Sequence, residues 1–103
     1  MNAPGAVLVA LADPTRRQLL EKLVDVGLAS ATTLAERLPV SRQAVVKHLN
    51  VLEGAGLVSG ERTGREVLYQ LRPRTLDESA RWMAELASTW DRRLNAIKRA
   101  AEE

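Results

Sequence analysis

Pro39 separates two short helix patterns, and that pair limits the possible folds more than any other feature of the chain. From about Thr32 to Leu38, the residues Leu34, Ala35 and Leu38 fall on one side of a helix. Proline then stops it. Ser41 follows as an N-cap, and Ala44, Val45, Leu49 and Leu52 form an apolar stripe that continues to Glu53. Gly54-Ala55-Gly56 closes this second helix. A turn of about three residues between the two gives helix-turn-helix spacing over about 32–53.

The flanking segments extend the pattern. Val7-Leu8-Val9-Ala10-Leu11 reads as a short apolar helix. Asp13-Pro14 is a strong start for the next, with Asp as cap and Pro at the first helical position. Leu19, Leu20, Leu23 and Val24 recur at helical spacing, and Gly27 ends the run. After the paired helices, Leu57-Val58 opens a strand, Gly64 punctuates it, and Val67, Tyr69 and Leu71 alternate on the returning strand. This hairpin, over about 57–71, ends at Pro73. The remainder, about 75–101, is expected as one long helix without internal Gly or Pro. The whole chain, 1–103, therefore reads as a single, mainly α domain with the order α-α-α-α-β-β-α.

On the last helix Leu76, Ala80, Met83, Ala87, Trp90, Leu94, Ile97 and Ala101 are spaced 4, 3, 4, 3, 4, 3, 4, with Trp82 and Leu86 widening one flank. That is an unbroken heptad seam. Either it packs on the protomer's own body or it meets a second copy. The helix is longer than a small domain can cover, at ~1.5 Å per residue, which favours the partner.

Composition removes several classes. The chain is 46% hydrophobic, with two Trp, one Tyr and no Phe, so its core is built from Leu, Val and Ala. No apolar run approaches the ~18 residues of a membrane span. Met1 to Leu11 has no basic segment ahead of its apolar stretch, which argues against a secretory signal. The absence of Cys rules out disulfides and thiolate metal sites and fits a reducing cytoplasm. A net charge of +2 says little about partners. The distribution says more, since Arg16, Arg17, Arg42, Lys47, Arg62 and Arg65 fall where acidic residues are sparse. No nucleophile–base pair and no Gly-rich phosphate loop is present, so an enzyme is not expected.

Four stretches carry a resemblance. They are Leu11-Ala12-Asp13-Pro14-Thr15-Arg16-Arg17, Val40 to Leu49 (VSRQAVVKHL), Leu52 to Val58 (LEGAGLV) and Gly64 to Leu71 (GREVLYQL). In this order and spacing the chain resembles the ArsR/SmtB family of bacterial repressors. The resemblance implies a winged helix-turn-helix fold with a long C-terminal dimerisation helix, a homodimer and double-stranded DNA as partner.

Physical chemistry assigns roles within that frame. With Val45, Leu49 and Leu52 inward, Arg42, Gln43, Val46, Lys47 and Asn50 point out from the second helix, whose first turns would reach base edges in a major groove. Base reading is expected from Arg42, Gln43, Val46 and Asn50. Phosphate contacts are expected from Ser41 and Lys47, with a weaker hint for Arg16 and Arg17, cations at a helix start. The hairpin tip, Arg62, Thr63 and Arg65 around Gly64, looks like the family's wing. The partner-facing set is Val7, Leu11, Leu76, Ala80, Met83, Ala87, Trp90, Leu94 and Ile97, and a two-fold dimer would bind an inverted repeat.

One His and no Cys cannot form a transition-metal site in one chain. The family's arsenic and heavy-metal sensors carry cysteines before the turn, where this chain reads Ala31-Thr32-Thr33-Leu34. Its zinc sensors carry Asp/His ligands on the last helix, where Asp77, Glu78, Glu85 and Asp91 have no histidine partner. No metal and no cofactor are therefore expected. His48 is given a structural or backbone-contacting role rather than a pH switch. Trp82 and Trp90 either line a pocket for an unknown small-molecule effector at the dimer interface or simply pack there. Two other functions fit the same residues: a winged-helix module that binds protein, and an auto-repressor without ligand.

Overall fold

Five helices and a small sheet make up the computed structural model, which describes residues 4–102. The order is α1 (Pro4–Leu11), α2 (Pro14–Val26), β1 (Ala29–Ser30), α3 (Ala31–Ala35), α4 (Arg42–Gly54), β2 (Val58–Thr63), β3 (Glu66–Leu71) and α5 (Pro73–Glu102). The mainly α, winged helix-turn-helix expectation is met.

Local chemistry explains the boundaries. The Asp13 carboxylate accepts from the Thr15 and Arg16 N–H groups at 2.8 and 3.1 Å, which satisfies two orphan donors of α2. The helix closes with the Gly27 N–H donating to Leu23 O at 2.7 Å. Ser30 caps α3 by accepting from Thr33 N–H, and Ser41 caps α4 by accepting from Ala44 N–H at 3.1 Å.

The sheet is antiparallel in the order β1-β3-β2. Val58 pairs with Leu71 and Thr63 with Glu66, leaving Gly64-Arg65 as a two-residue turn. Gly64 has φ +64°, the conformation that the first central residue of such a turn requires. On the other side Ala29 pairs with Tyr69. This two-residue β1 was not expected, because a strand so short carries no alternation.

Two other expectations shift. Helix α3 starts at Ala31 and ends at Ala35, short of Leu38. Pro39 keeps the residue before it out of helical conformation, and residues 36–41 form a looser connection than a three-residue turn. Leu38 still packs on the core. Helix α5 begins at Pro73, two residues early, since proline suits a first helical position as well as a strand end.

Val7, Leu19, Leu23, Leu34, Val45, Leu49, Leu52 and Leu57 are fully buried and form the centre of the core. All the elements before α5 contribute to it or pack against it. Leu76 joins at the root of α5, and Ser79 is the last buried residue of that helix. Thirty residues of helix extend ~45 Å, and the molecule measures 69 × 26 × 21 Å.

Candidate nucleic-acid interface

Helix α4 is two-sided because its apolar stripe is fully used. Val45, Leu49 and Leu52 are each 0% exposed, which turns Arg42, Gln43, Lys47 and Asn50 outward into solvent. At its first turn the backbone N–H groups and the Ser41 cap form a positive end suited to a phosphate oxygen. The exposed wing residues Arg62, Thr63 and Arg65 stand beside this face. An open cleft of about 360 Å³ separates wing and helix, lined by Thr32, Arg42, Val46, Arg62, Arg65 and Tyr69 among others.

Two of the expected base readers have further ties. Val46 is half-buried and packs on the core, so it presents only an edge to the cleft. Arg42 Nε donates to Thr32 Oγ1 at 3.1 Å, which steers the guanidinium toward the wing.

The wing is fastened to the end of α4 by residues that sequence reasoning missed. Glu53 Oε2 accepts from the Gly60 N–H at 3.1 Å. A Cβ on Gly60 would lie 2.9 Å from Tyr69 Cε1 and from Val67 Cγ1, so only glycine lets the ring cover the strand there. Burial pushes the Tyr69 hydroxyl up from its ordinary range; the Glu53 carboxylate adds to this and Arg42 opposes it. The signal was present in Tyr69, the lone tyrosine, two positions from Val67 on one strand face. Its partner glycine was not predictable without the register.

Arg16 is reassigned. Its Nε donates to Ala10 O at 2.6 Å and its Nη2 to Val9 O at 3.1 Å, and the side chain is 16% exposed. Arg17 Nη1 donates to Leu11 O at 2.6 Å, but that side chain remains exposed. Cations at the start of α2 hinted at an external anion. They answer instead the unpaired carbonyls at the C-terminal end of α1, where positive charge is favoured. Arg16 is thus committed inside the protomer, and Arg17 keeps a path to solvent. Asp13 sits beside them, its carboxyl held below the usual 3.8 chiefly by the Arg16 N–H bond.

The expected partner-facing set also divides. Val7 is 0% exposed and belongs to the protomer's own core, while its neighbours Leu8 and Val9 are the exposed apolar residues of α1. The helical turn puts Val7 and Ala10 inward together, which alternation-free inspection of a five-residue run cannot decide. Leu11 and Leu76 pack partly on the core. Beyond Ser79 the seam is open: Met83, Trp90 and Ile97 are 43, 65 and 64% exposed, and Leu86 on its flank is 60% exposed. Ala80 and Ala87 are exposed too, and Leu94 is half-buried. Trp82 is 40% exposed on the flank.

Known proteins share this arrangement. Residues 11–61 match the Helix-turn-helix domain family. The transcriptional repressor SdpR of Bacillus subtilis (strain 168) is 34% identical over 82% of this chain and 93% of its own length. The HTH-type transcriptional regulator Rv2034 of Mycobacterium tuberculosis is 42% identical over 90% of this chain and 83% of its own length. Among solved structures, an ArsR-like transcriptional regulator from Rhodococcus sp. RHA1 superposes with a TM-score of 0.87 at 45% identity, covering 95% of this chain and 92% of that one. With its capped α4, arginine-tipped wing and long last helix, the chain belongs to the ArsR/SmtB family of winged helix-turn-helix, DNA-binding transcriptional regulators.

Proposed function

We propose that the protein is a homodimeric repressor that binds an inverted-repeat operator and does not sense metal. The observation that carries this reading is the fully solvated polar face of α4, Arg42, Gln43, Lys47 and Asn50, beside the wing cations Arg62 and Arg65. Gln43 and Asn50 read base edges in the major groove, Arg42 reads from the wing side, and Val46 offers its exposed edge to a thymine methyl. Ser41, Lys47 and Arg17 hold phosphates, and Arg62, Thr63 and Arg65 follow the adjacent backbone or minor groove.

The exposed seam of α5, with Leu8 and Val9 beside its root, is the surface that a second copy covers. A two-fold pair then spaces the two α4 helices one DNA turn apart, ~34 Å. A small-molecule effector, where one acts, works at this seam around Trp82 and Trp90 by changing the angle between the two reading heads. The absence of Cys and the single His support metal independence. Such a regulator works where the DNA lies, in the bacterial cytoplasm.

Fluorescence anisotropy tests the reading. A duplex from the gene's own upstream region should bind ~10³-fold tighter than a scrambled duplex at ~150 mM salt. Gln43→Ala should change the preferred sequence, and Arg65→Ala should weaken all duplexes and flatten the salt slope by ~0.9. Equal, weak binding to both duplexes would reject operator recognition.

A further inference from the structure

Arg16 and His48 meet where α1, α2 and α4 converge, away from the face described above. The Arg16 guanidinium is anchored by its two bonds to the carbonyls of Val9 and Ala10, in the last turn of α1. Its remaining nitrogen, Nη1, lies 3.5 Å from His48 Nδ1 in the middle of α4. A guanidinium has only donors. As a hydrogen bond, this contact has to use Nδ1 as the acceptor. Asp13 and Arg17 are the other charged groups nearby: Asp13 Oδ2 lies 4.0 Å from the same Nη1, and Arg17 donates to Leu11 O. Asp13 Oδ1 is already occupied by two backbone N–H groups.

Helix α1 lies against α5 as well as α4. Val7 and Ala10 seal it to the core, and Leu76 packs against the same core from α5. One largely buried cation thus ties the helix beside α5 to the helix that carries the polar reading face. Resting on the operator-reading role above, we propose that Arg16 and His48 are positioning residues. The guanidinium is a strut, with His48 Nδ1 as its acceptor, that holds α4 at a set orientation relative to α1 and α5. Neither residue touches DNA, yet both set operator affinity.

The two ring nitrogens make the proposal testable. Asparagine places its amide oxygen near the position of Nδ1, whereas glutamine places its polar atoms near Nε2. Wild type, His48→Asn, His48→Gln and Arg16→Lys would be titrated by anisotropy with duplex enriched from a random-sequence pool by the wild-type protein, at several salt concentrations. Thermal unfolding would be followed in parallel. His48→Asn is expected to bind within about threefold of wild type, while His48→Gln and Arg16→Lys each lose about tenfold. The salt slope should stay constant in all, because no phosphate contact is removed. His48→Gln and Arg16→Lys combined should lose little more than either alone.

The reverse pattern, with Gln retained, Asn weakened and a shallower slope, would make Nε2 a phosphate donor and overturn the strut. Changes in melting temperature alone, with folded protein binding as wild type does, would reduce the contact to packing and overturn it too. If Arg16→Lys does not fold, the Asn–Gln contrast at His48 still decides. A wild-type protein that enriches no sequence removes the operator role itself, a failure visible before any variant is made.

Discussion

The body of the protein and the outer three-quarters of α5 treat their apolar residues in opposite ways. In the body, Leu19, Leu23, Leu34, Leu49 and Leu52 have no solvent exposure, and each helix start before α5 that carries a Ser or Asp cap uses it. Past Ser79, Met83, Trp90 and Ile97 stand exposed on a regular seven-residue repeat, with Leu86 exposed on its flank. An apolar stripe with heptad spacing on an amphipathic helix is half of an interface. The body buries its apolar residues within one chain, whereas α5 leaves its own exposed, the surface that the proposed dimer would cover. Stability and assembly should therefore respond to different residues.

Breaking the body should have the largest effect. Leu49→Ala empties a fully buried position of α4 and should cost about 3 kcal/mol in urea unfolding, with DNA binding lost in step. A cost well under 1 kcal/mol would mean that the core around α4 is loosely packed. Trp90→Asp should spare the body and destroy the seam. Sedimentation should then show monomers, with the dimer weakened by about 2–3 kcal/mol, while the near-UV signal of Tyr69 persists. A dimer indifferent to this change would move the partner surface elsewhere.

Gly60→Ala tests the tie between wing and body. Its Cβ would press on the Tyr69 ring and Val67 at 2.9 Å, and a loss of about 1–3 kcal/mol is expected with the oligomeric state unchanged. Smallest is the cap at Asp13. Its folded carboxyl titrates below 3.8, so its contribution is fully present above that value and disappears as pH falls through the lower folded value. Asp13→Asn, which keeps a capping oxygen, should melt slightly below wild type at about pH 7, the gap closing in strong acid. A gap that widens on acidification would contradict that sign.

Much of this was legible beforehand where one residue type has one use. Asp13-Pro14, Ser41 and Gly64 name a cap, a cap and a turn, and each does that job. The heptad on α5 likewise declared its spacing, although sequence alone left open whether the protomer's own body covers it. What could not be read depended on partners distant in sequence. Arg16 looked like a cation displaced at a helix start until the end of α1 was found against it. Val7 and Leu8 differ only by the rotation of a short helix that packing decides. Strand β1 exists because β3 has a second edge to offer, and nothing within Ala29-Ser30 announces it.

The bond between Glu53 and Gly60 has a consequence for solubility. Strand β2 is an outer strand of the sheet, and such a strand invites another chain to add itself by backbone pairing. At Gly60 the outward N–H is already engaged by a carboxylate, and a foreign strand would have to displace that charge and strip its water. A single acidic side chain at the end of α4 thereby blunts the β2 edge against the stacking of wings from separate molecules into aggregates.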